Sequence, residues 1–309
     1  MVNVVSVGKF FLDKWLDIYR YRNKYLSLAI RRRRLNLLIA VVVVCNIGIV
    51  CVGCSSPARV SSPNPTEKSF NTAKTEGIGQ SVNGGKEVTP VIQNSIFSVP
   101  KKFQGKTVYE VKPPNNEKVI ALTIDDGPWH PTTIPMLDLF KKEDVKATFF
   151  WVGTAIKEYP EIAKRVVADG HAIGNHTFHH WYKNMDTATA KNEIEQTAEL
   201  MYKTTGVKTF LFRPPGGYLN NGLAAYAKSQ NYSVVMWSQT SADTDPRAKY
   251  QVFVKNVLRD AKSGGIVLMH DGGGDRRRTV EALPGIIMGL KQKGYKFVTV
   301  PELLKMANN

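Results

Sequence analysis

From Glu117 onward the chain alternates short apolar runs with longer amphipathic ones, and this alternation restricts the possible folds more than any other feature. Runs at 119–124, 147–152, 171–174, 209–212, 233–237, 266–269 and 296–300 are brief and bounded by turn residues, which predicts seven buried strands. Between them, apolar residues recur at helical spacing over 134–142, 160–168, 187–204, 221–229, 251–262 and 279–293. Gly170, Gly206, Gly264 and Gly294 stand where helix C-caps are expected. Strand-helix units repeated in about 190 residues call for parallel strands, because each helix returns the chain to the same edge of the sheet. The fold expected is α/β, a distorted or incomplete (β/α) barrel of about seven parallel strands, with a doubly wound open sheet as the alternative. A barrel should carry its reactive side chains just after the strands, at the C-terminal face.

Ahead of this domain the chain reads as three further segments. Residues 1–34 hold nine Lys or Arg against two Asp, so seven of the sixteen net positive charges lie there. Residues 35–54 are apolar apart from Asn36, Asn46 and Cys45, Cys51 and Cys54, long enough to span a bilayer. Arg31 to Arg34 immediately before them place the N-terminus in the cytoplasm and the rest outside it. The segment reads either as a transmembrane anchor or as a lipoprotein signal, since Cys51-Val52-Gly53-Cys54 resembles a bacterial lipoprotein processing site. Residues 55–114, rich in Ser, Pro, Asn, Thr and Gly, form a flexible extracytoplasmic linker whose last part, about 91–111, can add a strand or two at the domain edge. The folded domain is expected over 115–309.

The remaining positive charge is spread over a long surface, no nucleic-acid-binding motif accompanies it, and no protein partner is implied. No cysteine follows Cys54, so a metal site in the domain would use imidazole and carboxylate, a set that suits zinc.

The strand ends carry the chemistry. Asp125-Asp126-Gly127-Pro128 follows the first run, and adjacent strand residues face opposite ways, so the two carboxylates suit separate tasks. His176 and His180 follow the third run, four residues apart, and face one point if the segment turns helically. Singly, each histidine reads as a core or surface residue; with Asp126 from another strand end they make a three-ligand site with coordination positions left open. Arg213-Pro214-Pro215-Gly216-Gly217, Trp237-Ser238 with Asp243, and Leu268-x-His270-Asp271 follow three later runs. An order of one ionisable group at or soon after five of seven strand ends is not dictated by packing.

These motifs resemble the signatures of the polysaccharide deacetylases that share the chitooligosaccharide deacetylase (NodB homology) domain, carbohydrate esterase family 4. The resemblance runs over about 118–304, with five signatures in order and the fourth present in part. It implies a general base at Asp125, oriented by Arg213, and metal ligands at Asp126, His176 and His180. It further implies a general acid at His270 with Asp243 as its charge partner. Trp237 and Leu268 would line an acetyl pocket beside Pro215 and Gly216, the latter offering a backbone N–H to the oxyanion. Ile124, Gly216, Thr240 and Thr244 depart from the family pattern, a change that bears on the sugar-binding groove rather than on ligands, base or acid.

The activity so implied is removal of N-acetyl groups from an acetylated amino-sugar polysaccharide of the cell envelope, with the domain tethered to the cell membrane. The cofactor would be a divalent ion, zinc before cobalt, nickel or manganese. An O-acetyl esterase or small-molecule amidase could use the same centre, and a non-catalytic glycan-binding protein could keep the fold. A glycosidase would place its two carboxylates on either side of the scissile bond and has no use for the histidine pair.

Overall fold

The computed structural model describes residues 96–307. The segments 1–34, 35–54 and most of 55–114 therefore lie outside the described residues. Among the described residues no helix is long and apolar enough to cross a membrane.

The strands, in chain order, are β1 (Ile96–Phe97), β2 (Thr107–Val108), β3 (Val119–Asp125), β4 (Thr148–Trp151), β5 (Ala172–Asn175), β6 (Lys208–Thr209), β7 (Leu211–Phe212), β8 (Ser233–Val235), β9 (Gln239–Thr240), β10 (Gly265–His270) and β11 (Lys296–Phe297). The helices are α1 (His130–Lys142), α2 (Gly153–Glu158), α3 (Pro160–Ala168), α4 (Thr187–Thr205), α5 (Leu223–Ser229), α6 (Tyr250–Asp260), α7 (Arg277–Gln292) and α8 (Val300–Met306). Eight strands run parallel in the order β2-β8-β7-β5-β4-β3-β10-β9, and β11 joins the start of β3.

The sheet is curled into a half-barrel. β2 and β9 end the strand order, yet the chain beyond β2 crosses to the far side, where Glu110 bridges Gly265 and Val111 N–H donates to Gly264 O at 3.0 Å. Gly264 does not cap a helix as expected. Helix α6 has already ended at Asp260, and at φ +71° Gly264 lets the backbone of Val111 pass where a side chain would stand. Gly206 does cap α4, in the left-handed conformation.

All seven expected strand positions are occupied, and the excess comes from two-residue pieces with too few residues to show a period. The run at 296–300 is cut short because Thr299 and Glu302 form a capping box that starts α8 at Val300.

Side-chain alternation along each strand decides what faces the bore. On β3, Ile120, Leu122 and Ile124 pack outward with Phe149, Val267 and the helices, while Val119 and Ala121 pack inward with Phe150, Leu211, Val235 and Ile266. The same parity carries Thr123 and Asp125 inward. It does likewise for Arg213 beyond Leu211, Trp237 beyond Val235, and Leu268 and His270 beyond Ile266. Helix α8 adds Val300, Leu303 and Leu304 to the inner cluster, and the ionisable groups gather at the C-terminal end of the bore.

Candidate metal and active site

Asp125 is the last residue of β3, and His270, the last of β10, is its direct register partner. Asp126 leaves the strand at φ +77°, so the two carboxylates do not point to opposite faces as strand geometry alone would require. The left-handed turn swings Asp126 back over the bore, and His176 Nε2 lies 3.4 Å from Asp126 Oδ1 and 3.9 Å from Asp125 Oδ2. His180 Nε2 lies 3.1 Å from the same Asp126 oxygen.

The histidines do not converge through a helical turn either. Residues 176–180 form an irregular loop in which Thr177 and His180 have positive φ, and the two rings end 4.9 Å apart. The loop is fastened from below by Glu193 of α4, nearly fully buried, whose Oε2 accepts from Phe178 N–H at 3.1 Å and His179 N–H at 2.9 Å. Its Oε1 lies 2.6 Å from His179 Nδ1. A glutamate on the buried face of an otherwise apolar helix pattern is the signal that could have revealed it. Glu193→Ala is expected to lower divalent-cation affinity 10- to 100-fold with one site retained, measured by calorimetric titration, because the ligand loop loses its anchor.

His176 Nδ1 meets the carbonyl oxygen of Arg213 at 2.7 Å, and since a carbonyl only accepts, Nδ1 carries the proton. The ring thus turns Nε2 toward Asp126, whose buried Oδ1 has no well-directed donor among the described residues. Burial raises the Asp126 carboxyl, but the two imidazoles, when protonated, outweigh it and hold the group well below the usual carboxylate range. Either way that oxygen requires positive charge beside it. Asp126, His176 and His180 offer ligand atoms that lie within 4.8 Å of one another. The separations of 3.1 and 3.4 Å bracket the ~3.3 Å between two tetrahedral ligands about 2.0–2.1 Å from a shared zinc. The three residues fit a cation and form a candidate metal site.

Arg213 is completely buried. Its Nη1 donates to Asp125 Oδ1 at 2.6 Å and Thr123 Oγ1 at 2.8 Å, its Nε to Val235 O and its Nη2 to Met236 O, while Phe150 lies 4.1 Å beneath the guanidinium. Four of the five N–H groups are thus engaged, and the one on Asp125 fixes a single carboxylate oxygen and leaves the other toward the ligands. Opposite, Asp243 takes His270 Nδ1 at 2.8 Å and His270 N–H at 2.8 Å, with Thr279 Oγ1 donating at 2.9 Å. Burial lowers His270, but the Asp243 hydrogen bond and charge, with Asp125 and Asp126 beyond, raise it above the ordinary value of 6.5. Nδ1 is occupied, leaving Nε2 to exchange a proton.

Leu268 is buried on the inner face of β10, and Trp237 lies beside Arg213, 5.7 Å from its guanidinium carbon. Pro215 and Gly216 form a tight turn after β7, which is closed against Trp237 by Gly217. A cleft of about 170 Å³ opens at Asp126 and His180 and is lined also by Trp129, Thr154, Glu158 and His179. A wider open depression of about 740 Å³ shares only Trp237 with the expected residues. Asp271 carries no expected role, yet it is fully buried and its carboxyl is pushed up to about 7 by that burial. It accepts from Thr133 Oγ1 at 2.5 Å and packs against Gly127, where no side chain would fit, so it buttresses the turn that aims Asp126.

Residues 112–235 match the family described as polysaccharide deacetylase; Trp237, Asp243 and His270 lie beyond the matched stretch. A peptidoglycan-N-acetylglucosamine deacetylase of Bacillus cereus is 43% identical over 206 residues, which cover 65% of this chain and 94% of the relative. A peptidoglycan-N-acetylmuramic acid deacetylase of Bacillus subtilis is 34% identical over 195 residues, 61% of this chain and 72% of the relative. Among solved structures, a peptidoglycan N-acetylglucosamine deacetylase in complex with an N-oxidanyl-benzamide superposes with a TM-score of 0.61 at 33% identity, covering 66% of this chain and 94% of that one.

Proposed function

The chain belongs to the polysaccharide deacetylase family, and from that premise and the site geometry we propose that it removes N-acetyl groups from amino-sugar residues of cell-envelope glycan, with peptidoglycan as the first candidate. The observation that carries this reading is the convergence of Asp126, His176 and His180 beside the held pair Arg213–Asp125 and the register partner His270. A divalent cation, zinc by the donor set, would be held by the three ligands and would supply Lewis acidity toward the acetyl carbonyl and the attacking water. Asp125, with one oxygen fixed by Arg213, accepts the proton of that water through the other. His270, protonated through its bond to Asp243, gives a proton from Nε2 to the departing amine. Trp237 and Leu268 shape the acetyl pocket, and the turn at Pro215 and Gly216 brings a backbone N–H to the carbonyl oxygen. In the same reading, residues 35–54 tether the domain to the membrane and place it outside the cytoplasm.

Acetate release from N-acetylated chitooligosaccharides and from peptidoglycan fragments tests the proposal. Release that is abolished by a chelator and restored by zinc is expected; release unaffected by chelation, or none from any glycan, refutes it.

The acid role also sets the pH profile. A general acid must be protonated, and His270 is raised, so activity on glycan persists above pH 6.5 and falls as pH rises through the elevated value. In Asp243→Asn the leading upward influence is gone while the burial that lowers His270 remains, so the falling limb moves to lower pH. A pH-rate profile checks this, and an unmoved limb would remove His270 from the acid role.

A further inference from the structure

The loops beside the ligand cluster leave three aromatic rings in solvent: Trp181 is 38% exposed, Tyr182 58% and Tyr218 54%. Grouped exposed rings mark binding surfaces far more often than isolated ones. Trp181 has both faces taken, one by His179 stacked at 4.4 Å and the other by Lys183 Nζ at 3.9 Å. The tyrosines are different. The Tyr182 ring stands edge-on, 5.1 Å from the ring of His180, and 5.9 Å from Tyr218. Neither phenol has a hydrogen-bond partner among the described residues. Gly216 lies directly beneath them: a Cβ there would stand 2.8 Å from Tyr218 Cε2 and 2.9 Å from Tyr182 Cε1. The rings close together only because position 216 has no side chain, and its φ of +61° suits glycine.

Resting on the glycan-deacetylase reading above, we propose that Tyr182 and Tyr218, with 77° between their planes, form a two-walled aromatic platform that holds a pyranose ring of the amino-sugar chain against the ligand cluster. The axial C–H groups of a pyranose present an apolar, weakly positive face that complements an aromatic ring. The pair thereby selects ring-stacked glycans over small acetyl amides and esters that share only the acyl group.

The test uses the full-length chain in detergent. Affinity for tetra-N-acetylchitotetraose is measured by calorimetry with chelator present, so no turnover is needed, and hydrolysis of an aryl acetate lacking sugar is followed with zinc present. Tyr182→Ala and Tyr218→Ala should each weaken glycan binding about tenfold, the scale of one aromatic stacking contact. Both should leave aryl acetate hydrolysis within about twofold, and Tyr182→Phe and Tyr218→Phe should bind nearly as the parent does. Unchanged glycan affinity in the alanine variants, equal losses on the aryl acetate, or no glycan binding by the parent would each overturn the platform. Failure of the deacetylase reading shows separately, as glycan bound but no acetate released on adding zinc.

Discussion

Asp125→Asn is expected to lower acetate release about a thousandfold while one divalent cation stays bound per chain. A positioned general base supplies roughly 10²–10⁴ in rate, and an amide cannot accept the proton of the attacking water. The cation should remain because Asp126, not Asp125, lies nearest the imidazoles: His176 Nε2 is 3.4 Å from the former and 3.9 Å from the latter. The fold should also survive, since asparagine keeps an oxygen able to accept from Arg213 Nη1. The steady-state rate and the bound metal, read by elemental analysis on the same sample, decide between outcomes. A rate within tenfold of the parent removes Asp125 from catalysis, and a lost cation makes it a ligand.

Arg213→Met should be the most destabilising single change in the site. Methionine fills much of the volume, but it strands the Asp125 carboxylate and the Val235 and Met236 carbonyls in a part of the bore that water does not reach. Removing one member of a buried ion pair costs about 3–5 kcal/mol, which for a domain of this size lowers Tm by about 10 °C. Activity should vanish as well, because Asp125 loses the contact that aims it. Arg213→Lys retains the charge but not the fork, so it should fall between the two in stability. Calorimetric melting of the three proteins checks the order; a methionine variant melting with the parent would mean that the ion pair contributes nothing.

What could be read in advance divides along physical lines. The runs at 119–124 and 266–269 are fully buried strands in an α/β sheet, where near-continuous apolar sequence is the direct consequence of being covered on both faces. They were therefore legible. β1 and β2 fall in the 91–111 stretch expected to add a strand or two at the domain edge, but β9 and the six-residue helix α2 were not legible, because two to six residues hold less than two turns or one full alternation. The gap of the half-barrel is spanned by the crossing of Val111 over Gly264, a contact between segments about 150 residues apart that local pattern cannot express. The site divides in the same way. The identities of Asp125, Asp126, His176, His180, Arg213, Asp243 and His270 came from motif order, and the structure brings all seven to one end of the bore. How they converge was hidden, since positive φ at Asp126, Thr177 and His180 contradicts what strand alternation and helical spacing suggest. Glu193 and Asp271 were missed because each acts through the loop it holds rather than through a motif of its own. Tyr182 was missed because nothing in a tyrosine four residues before an aspartate distinguishes a platform from a surface ring.

The claim on which the mechanism turns is that Asp126, His176 and His180 share one cation. Anomalous diffraction at the zinc edge, from crystals of the zinc-loaded protein, measures it directly. A single strong peak bounded by Asp126 Oδ1 and the two Nε2 atoms is predicted; an empty site there, or zinc held by other residues, would contradict it.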